Sequence, residues 1–377
     1  MKKITVIGAG MVGRVMAREL AGRYQVTATD IDRKSLDSLE DIPAIRKMQL
    51  DVTDHSALAL SVADADMVVS AVPGVLGLQT MTEIIRLKKN LVDISFMSED
   101  PAFLGEMASE NGVTVVTDCG VAPGMSNYIA GYHNERMKID EIEFMVGGLP
   151  RVRIWPFEYK APFSPSDVIE EYTRPARFIE NGRTVTMPAM SGSELVHFRQ
   201  VGTLEAFNTD GLRSLLHTLN HIPNMREKTL RYPGHINIIR ALKETGFLDS
   251  EAVTVNGTAI SPIDFTSHIL FNAWKLDDGD EEFTVMRIII RGTEDHVSRE
   301  IIYELYDEYD PVGKTSSMAR TTGFTATGTA EMILGGIFTE RGVFPPELVG
   351  RHQECFDFII RYLGERNVNY QVSVRNL

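Results

Sequence analysis

The sequence predicts an α/β protein in which a doubly wound parallel sheet is followed by an α+β domain with a mixed or antiparallel sheet. Three observations predict this class. Six short apolar segments alternate with helical segments in the first third of the chain, and a glycine-rich turn follows the first of them. After residue 141 the strand signals lie closer together and are separated by hairpin turns. Alternation favours parallel strands, whereas hairpins favour antiparallel pairing.

The elements of the first third are short and have recognisable starts. Thr53 or Asp54 can cap a helix that ends near Ala63, and Pro101 suits the first turn of another helix. The predicted strands are Lys3–Ile7, Gln25–Thr29, Arg46–Leu50, Met67–Ala71, Leu91–Ile94 and Val113–Thr117. The other predicted helices are Met11–Leu20, Leu78–Lys88 and Pro101–Asn111. Nearly continuous apolar strands indicate a sheet that is covered on both faces.

The remaining two thirds combine hairpins with isolated helices. Asn181-Gly182 is a strong hairpin signal. The predicted strands are Glu141–Gly147, Pro175–Phe178, Thr184–Met187, Phe283–Arg291 and Glu300–Tyr306, the last two flanking Gly292–Asp295. The predicted helices are Asp210–Leu219, Ile236–Thr245, Ala326–Phe338 and Gln353–Gly364. We therefore expect domains at 1–122 and 123–325, helices at 326–377 that return toward the first domain, and a ligand cleft between the domains.

The turn Gly8-Ala9-Gly10-Met11-Val12-Gly13 has the G-x-G-x-x-G spacing of a Rossmann-type dinucleotide site. It follows a predicted strand and opens a predicted helix, and Asp30 ends the next strand about twenty residues on. Gly10 lets the backbone approach a pyrophosphate, and the helix N-terminus supplies free N–H groups. The carboxylate of Asp30 would bind the ribose hydroxyls and repel a 2′-phosphate. The pattern predicts NAD, and Arg33 leaves NADP as the less favoured cofactor.

The ends of further strands complete the predicted cofactor site, because ligands bind at the carboxyl ends of strands in such sheets. Asp51 and Val52 follow the third strand, where an adenine edge would lie. The predicted cofactor-binding residues are Gly8, Gly10, Met11, Val12, Gly13, Asp30, Ile31, Asp51, Val52, Ala71, Val72, Pro73, Ser95 and Phe96. A capping role remains open for Asp51, as does a simple turn for Pro73 and a core position for Phe96.

Composition excludes several classes of protein. The chain has 377 residues with 38 bases and 52 acids, a net charge of −14, which argues against nucleic acid as a partner. No apolar run reaches the length of a membrane helix, and the N-terminus lacks the pattern of a signal peptide, so we expect a cytoplasmic protein without membrane contact. Cys119 and Cys355 are expected to be free thiols, and the nine scattered histidines predict no metal site.

Several unusual local sequences carry a family resemblance. Besides the glycine turn they are Ser95-Phe96-Met97, the stretch 118–127, Gly147–Pro150, Glu170–Pro175, Thr209–Arg213, Thr229–His235 and Gly342–Glu347. With these motifs the chain resembles the saccharopine dehydrogenase/reductase family from residue 1 to about 350. Within the family it is most similar to the L-lysine 6-dehydrogenase branch. Two motifs are more specific for this family than the glycine spacing is. They are Glu-Glu-Tyr-Thr-Arg-Pro at 170–175 and Thr-Leu-Arg-Tyr-Pro-Gly-His at 229–235.

The resemblance implies oxidation of a C–N bond of an amino acid substrate. For lysine, the dinucleotide takes a hydride from Cε, the imine is hydrolysed, ammonia leaves and the product cyclises to a piperideine carboxylate. The ammonium must first lose a proton, for which His235 is the first candidate base and Asp118 the second. Asp118 could instead hold the substrate ammonium or cap a helix, and His235 could be a structural residue at a helix N-terminus. Arg213 and Arg231 are candidates for the α-carboxylate, and each could instead form a structural ion pair. Asp210 could bind the α-ammonium, and Tyr172 and Thr173 are candidates for polar wall residues, with a core position equally open for Tyr172.

Three functions remain open on the sequence. The first is NAD-dependent oxidative deamination of the ε-amine of L-lysine. The second is a reductase of the same family that forms a secondary amine such as saccharopine or a carboxylated polyamine. The third is a non-catalytic NAD-binding protein, which is disfavoured because charged groups are costly to desolvate without use. The resemblance also implies a homo-oligomer, at least a dimer.

Overall fold

The computed structural model describes residues 1–161, 165–277 and 279–377. Its first part alternates strands and helices as the sequence predicts. The strands are β1 (Lys3–Ile7), β2 (Gln25–Asp30), β3 (Ile45–Gln49), β4 (Met67–Ser70), β5 (Leu91–Asp93) and β6 (Thr114–Val116). The helices are α1 (Met11–Ala21), α2 (Arg33–Asp37), α3 (His55–Val62), α4 (Gly74–Arg86), the 3-10 helix Pro101–Leu104 and α5 (Gly105–Glu110).

The second part is richer in strands than the sequence predicts. Its strands are β7 (Lys138–Pro150), β8 (Ala176–Glu180), β9 (Arg183–Met187), β10 (Glu194–Phe198), β11 (Gly202–Asn208), β12 (Asn224–Arg231), β13 (Val253–Val255), β14 (Thr258–Ile260), β15 (Glu282–Glu294) and β16 (Val297–Glu308). Its helices are α6 (Met125–Asn134), α7 (Pro165–Thr173), α8 (Leu215–Thr218), α9 (His235–Glu244) and α10 (Pro262–Trp274). The chain ends with α11 (Ser317–Leu334), β17 (Gly342–Phe344), α12 (Pro346–Gly350), α13 (Gln353–Gly364) and β18 (Tyr370–Asn376).

The first sheet has seven parallel strands in the order β17-β6-β5-β4-β1-β2-β3. The six predicted strands adopt the dinucleotide-binding order, and β17 adds a seventh from the far end of the chain. The order reverses between β1 and β4, which creates a crevice beyond their carboxyl ends. Gly8 follows β1 and Ala71 follows β4, so both residues lie at this crevice.

The second sheet is mixed, with the main order β10-β11-β12-β7-β15-β16-β18 and with β8 and β9 beside β12. Strand β12 runs parallel to β7, whereas β15 and β16 form a long antiparallel hairpin. The hairpin between β8 and β9 turns at Asn181 and Gly182, whose φ angles are 50° and 73°. Positive φ at both central residues is the geometry that Asn-Gly favours in such turns.

Helix α11 connects the two parts. Most of its residues are buried, and many are small, such as Ala326, Gly328 and Ala330. It packs on α1, where a Cβ added to Gly323 would lie 3.3 Å from Met16 Cγ. The small residues therefore allow close approach, and the C-terminal part of the chain is packed on the first sheet.

Three sequence expectations about the elements are wrong. The helix predicted at Asp210–Leu219 is reduced to α8, because Arg213 has a φ of 48°, which is incompatible with a right-handed helix. Helix α11 begins at Ser317 rather than Ala326. The tail beyond α13 forms β18, which pairs with β16 in the second sheet instead of returning toward the first.

Among residues 1–161, 165–277 and 279–377, no helix combines the length and the hydropathy that crossing a membrane requires.

Candidate active site

A cleft with a cavity volume of about 380 Å³ lies between the two sheets. One end, here called the glycine end, is formed by Gly10–Gly13, Ala71–Pro73, Ser95 and Phe96. The opposite end, here called the acidic end, is formed by residues of 170–174, 209–211 and the β12 strand. Asp118 and the segment 120–123 lie on the wall as well. The cavity therefore joins the predicted cofactor turn to the second sheet.

The glycine end is shaped by missing side chains. Gly8 has a φ of +90°, and a Cβ there would lie 2.6 Å from the carbonyl oxygen of Ala71. A Cβ on Gly13 would lie 1.9 Å from the carbonyl oxygen of Gly8. By contrast, a Cβ on Gly10 would have no neighbour within 4 Å, because that position faces the cavity. This open space at the N-terminus of α1 fits a pyrophosphate, so the residues present fit a dinucleotide.

Asp30 ends β2 with its carboxylate held against the glycine turn. Its Oδ2 accepts a hydrogen bond from Ala9 N at 2.6 Å, and its Oδ1 accepts one from Asp32 N at 2.8 Å. Arg33 is paired with Asp37 at 2.9 Å. The carboxylate is therefore fixed where the adenosine ribose lies in this type of fold.

The structure brings most of the predicted cofactor residues together on the cavity wall. Those on the wall are Gly10, Met11, Val12, Gly13, Ala71, Val72, Pro73, Ser95 and Phe96. Gly8, Asp30, Ile31, Asp51 and Val52 do not line it. Asp51 caps a turn, since its Oδ1 accepts hydrogen bonds from the backbone N and the hydroxyl of Thr53, which lower the pKa of the carboxyl.

Asp118 lies on the cavity wall and forms a buried ion pair with Arg213. Arg213 Nε is 2.9 Å from both carboxylate oxygens, and its Nη1 donates to the carbonyl oxygen of Met97 at 2.5 Å. The guanidinium carbon lies 4.8 Å from the ring centre of Phe96. Both Asp118 and Arg213 have positive φ angles, of 51° and 48°, a strained conformation that is concentrated at functional sites.

The environment of Arg213 favours one of its two predicted roles. The side chain is 7% exposed, its Nε and Nη1 donate to Asp118 and to the carbonyl oxygen of Met97, and it does not line the cavity. The ion-pair alternative for Arg213 therefore describes its geometry better than binding of a substrate carboxylate. It links the second sheet to the strand ends of the first.

His235 is buried behind the acidic end rather than on it. Its Nδ1 lies 2.8 Å from the carbonyl oxygen of Phe157, and its Nε2 lies 2.9 Å from Tyr172 Oη. Burial lowers its pKa to about 3, so the imidazole is neutral at ordinary pH. Because it is absent from the cavity wall and both ring nitrogens are engaged, the geometry does not support direct proton abstraction by His235.

Tyr172 and Arg231 continue the chain of contacts from His235 to the cavity. Arg231 Nε donates to Tyr172 Oη at 2.9 Å, and Arg231 Nη2 donates to Glu171 at 2.7 Å. Arg231 lines the cavity, whereas Tyr172 is fully buried behind it. Thr173, predicted as a wall residue, is instead turned to its own helix, where its hydroxyl donates to Ile169 at 3.0 Å.

Asp210 lies on the cavity wall, as predicted, but it is already paired. Arg177 donates to both of its oxygens, with Nε at 2.9 Å from Oδ1 and Nη2 at 2.8 Å from Oδ2. Of the residues predicted for substrate or catalysis, Asp118, Asp210 and Arg231 therefore line the cavity, and their roles toward a ligand stay predictions.

Four charged wall residues are absent from the predicted site. They are Glu170, Glu171, Arg174 and Glu227. The period of two along β12 could have indicated Glu227, because Glu227, Thr229 and Arg231 all face the cavity. The intervening Lys228 is paired with Glu143 and Glu194 on the other side of the strand.

Charge is unevenly distributed on the wall. Of the wall residues that the structure describes, five are carboxylates (Asp118, Glu170, Glu171, Asp210, Glu227) and two are arginines (Arg174, Arg231). Both arginines are engaged, Arg231 with Glu171 and Arg174 with Glu170. The cavity therefore offers more to a cationic ligand than to one that carries several carboxylates.

Comparison with known proteins gives matches to two family models. Residues 4–116 match the saccharopine dehydrogenase NADP binding domain, and residues 120–368 match the saccharopine dehydrogenase C-terminal domain. Together the two matches account for most of both sheets.

Two individual relatives and one solved structure are dehydrogenases whose names are consistent with the two family models. The chain is 26% identical to saccharopine dehydrogenase (NADP⁺, L-glutamate-forming) of Saccharomyces cerevisiae, over 67% of this chain and 59% of that protein. It is 20% identical to carboxyaminopropylagmatine dehydrogenase of Synechocystis sp., over 92% of each chain. The solved apo structure of the yeast saccharopine dehydrogenase superposes with a TM-score of 0.81 at 21% identity and full coverage of both chains. The chain thus spans less than two thirds of the full length of the curated yeast relative.

Proposed function

Because the chain belongs to the saccharopine dehydrogenase family, we propose that it is an oxidoreductase that breaks and re-forms the C–N bond of a secondary amine. One observation carries the proposal: a single cavity joins the glycine end, which fits a dinucleotide, to the acidic end, which fits an amine. The two relatives are named for saccharopine and carboxyaminopropylagmatine, and both compounds are secondary amines that carry carboxylates.

A bound nicotinamide dinucleotide would supply the acceptor for a hydride from the carbon beside the amine nitrogen, and water would then hydrolyse the resulting imine to an amine and a carbonyl compound, which breaks the C–N bond. In the reverse direction the amine and the carbonyl compound condense with loss of water, and the reduced dinucleotide would supply the hydride. The protein must then hold the amine beside the strand ends in its unprotonated form, because the nitrogen lone pair assists loss of the hydride. Asp118 is the predicted catalytic group that lies on the cavity wall, and we assign it the contact with the amine. Its pairing with Arg213 would fix its orientation.

His235 would serve as a positioning residue in this proposal. It acts through Tyr172, which contacts Arg231 at the cavity wall. Arg231 in turn holds Glu171 at 2.7 Å, so the orientation of both wall residues depends on a neutral imidazole behind them. The proposal therefore replaces the base assignment that the sequence favours for His235.

Two arguments about the choice of dinucleotide oppose each other. The matched domain model and the yeast relative are named for NADP, which favours NADP over the NAD that the sequence predicts. The carboxylate of Asp30 argues for NAD, because it would face a 2′-phosphate with like charge. A comparison of kcat/KM for the two dinucleotides measures which effect is larger.

Oxidative deamination of L-lysine is the second candidate function. The comparisons support it less than a secondary amine, since neither relative described above is named for it. The charge of the cavity keeps it in consideration: the five carboxylates and two engaged arginines suit a diammonium substrate with one carboxylate. The same charge is unfavourable for the three carboxylates of saccharopine.

A panel of amines with each dinucleotide tests the proposal, read by the absorbance of the reduced nicotinamide. Saccharopine, carboxyaminopropylagmatine and L-lysine are the substrates. We expect a secondary amine to have a kcat/KM at least about tenfold above that of lysine, a difference of about 1.4 kcal/mol. Asp118→Asn should lose turnover and retain dinucleotide affinity; because the change also leaves the buried Arg213 without its charged partner, circular dichroism must first show that the variant is folded. Preference for lysine would replace the first candidate with the second, and dinucleotide binding without any turnover would favour a non-catalytic protein.

A further inference from the structure

Glu227 is a buried carboxylate on the wall of the acidic end. It lies in β12, is 7% exposed, and accepts a hydrogen bond from the hydroxyl of Thr209 at 2.5 Å. Gly211 packs over it, and a Cβ at Gly211 would lie 2.5 Å from Glu227 Oε2. A glycine at 211 therefore leaves the space that the carboxylate occupies.

Among the described wall carboxylates, Glu227 differs from the others because it has no arginine partner. Each of the other four has an arginine: Asp118 with Arg213, Glu170 with Arg174, Glu171 with Arg231, and Asp210 with Arg177. Within the described part of the chain, no lysine, arginine or histidine forms an ion pair with Glu227. Its neighbour Lys228 is paired with Glu143 and Glu194 instead.

The charges that face Glu227 come from two neighbouring segments. Glu171 of α7, with its partner Arg231, and Asp210 of the loop after β11, with its partner Arg177, are the titratable groups involved. Burial raises the pKa of Glu227 to about 8, the Thr209 hydrogen bond opposes the rise, and Glu171 and Asp210 add to it. Ionising a buried carboxyl without a cation is costly, so a cation that reaches the site stabilises the ionised form of Glu227.

We infer that Glu227 binds a cationic arm of the substrate, an ammonium or guanidinium, and so makes the enzyme specific for amines that carry a second positive charge. The inference rests on the proposed function, because it assigns the acidic end to the non-reacting part of the amine. Hydrogen bonds from Thr209 and the backbone of Gly211 orient the carboxylate toward the cavity. In this role Glu227 selects the substrate and takes no part in hydride transfer.

The first measurement is binding, which does not depend on turnover. Isothermal titration of the full-length protein with NADP⁺ present uses agmatine as the cationic probe and glutarate as the anionic probe. Both positive groups of agmatine stay charged between pH 6 and 9. Because the carboxyl must be ionised to bind it, we expect the Kd of agmatine to fall as the pH rises toward 8, by up to about tenfold per pH unit. Glutarate should bind more weakly and without this slope.

Glu227→Gln keeps the shape of the neutral acid and removes the charge. We expect it to weaken agmatine about tenfold or more at pH 8 and to abolish the pH slope. Thr209→Val removes the hydrogen bond but keeps the carboxylate, so the slope should remain and shift to higher pH. Glu143→Gln is the matched control, a carboxylate that pairs with Lys228 and does not line the cavity, and it should leave agmatine affinity unchanged.

The outcomes separate this inference from the proposed function. If Glu227→Gln binds agmatine as the unaltered protein does, with the same pH slope, Glu227 is a structural acid and the inference is overturned. If the substrate panel turns over but the KM of cationic amines is unaffected by Glu227→Gln, the function stands and the subsite is wrong. If no amine turns over while agmatine binding depends on Glu227, the subsite stands and the oxidoreductase proposal is wrong.

Discussion

The glycine end of the cleft is formed by residues without side chains, whereas the acidic end is formed by charged side chains from distant segments that pair with one another. Gly8, Gly10 and Gly13 make their end from backbone shape within six residues of sequence. At the acidic end, Arg231 and Glu171 are sixty residues apart, and Asp210 and Arg177 are separated by thirty-three. The first end is a local property of the sequence, and the second exists only in the folded protein.

This difference has a physical consequence for stability and for ligand binding. A glycine turn can lose its ligand while the fold survives, because the space above Gly10 is not packed. A buried ion pair cannot lose one partner without leaving an uncompensated charge in the protein interior. We therefore expect substitutions that break an ion pair at the acidic end to reduce stability first, and a side chain added in the open space at Gly10 to reduce affinity first.

Arg231→Met gives the largest expected effect and tests the acidic end directly. The change removes the partner of Glu171, whose pKa is raised by burial and held down by Arg231. We expect a loss of about 3–5 kcal/mol in the free energy of unfolding, as for other broken buried pairs. Urea unfolding followed by circular dichroism measures it.

Arg226→Met is the matched control for that experiment. Arg226 lies on the same strand and pairs with Glu180 at 3.0 Å, but both side chains are partly exposed. Such a pair contributes about 1 kcal/mol or less, because solvent screens it. Equal losses for the two variants would contradict the claim that burial makes the Arg231–Glu171 pair at the acidic end indispensable for stability.

Two single substitutions, at Gly13 and at Gly10, test the packing of the glycine end. Gly13→Ala places a Cβ 1.9 Å from the carbonyl oxygen of Gly8, so we expect a loss of about 1–3 kcal/mol in stability. Gly10→Ala meets no atom within 4 Å and should leave the free energy of unfolding within about 0.5 kcal/mol. Its methyl group occupies space in the cavity, so the Kd of the dinucleotide should rise about tenfold. A stable Gly13→Ala protein, or a Gly10→Ala protein with unchanged affinity, would show that the turn is not packed as described.

The same contrast explains how much could be predicted from the sequence. The order of the first sheet and nine of the fourteen predicted cofactor residues on the cavity wall follow from local spacing and from the rule that strand ends meet. The role of Arg213 could not be decided, because pairing with Asp118 and binding of a carboxylate require the same residue type. Glu227 was not predicted because its role depends on two features of the folded protein. Gly211 packs against it, and the other wall acids are paired with arginines.

His235 gives the smallest expected effect and tests the assignment on which the sequence and the structure differ most. Burial lowers its pKa to about 3, so in the folded protein the imidazole stays neutral from about pH 4 upward. We expect His235→Asn to lower kcat only a few-fold, through looser placement of Tyr172 and Arg231, and to leave the shape of the kcat profile between pH 5 and 9 unchanged. If His235 were the base, the acid limb of that profile would disappear in the variant.

The stability of the same variant supplies a second readout with a definite sign. In the unfolded chain the imidazole has its ordinary pKa of about 6.5, whereas in the folded protein it does not take up a proton until about pH 3. The unfolded state therefore binds the extra proton between these values, and the unaltered protein loses stability as the pH falls from 6.5 toward 3. His235→Asn lacks this contribution, so its unfolding free energy should fall less steeply over that range. Parallel curves for the two proteins would mean that folding does not lower the pKa of the imidazole, which would return His235 to consideration as a proton carrier.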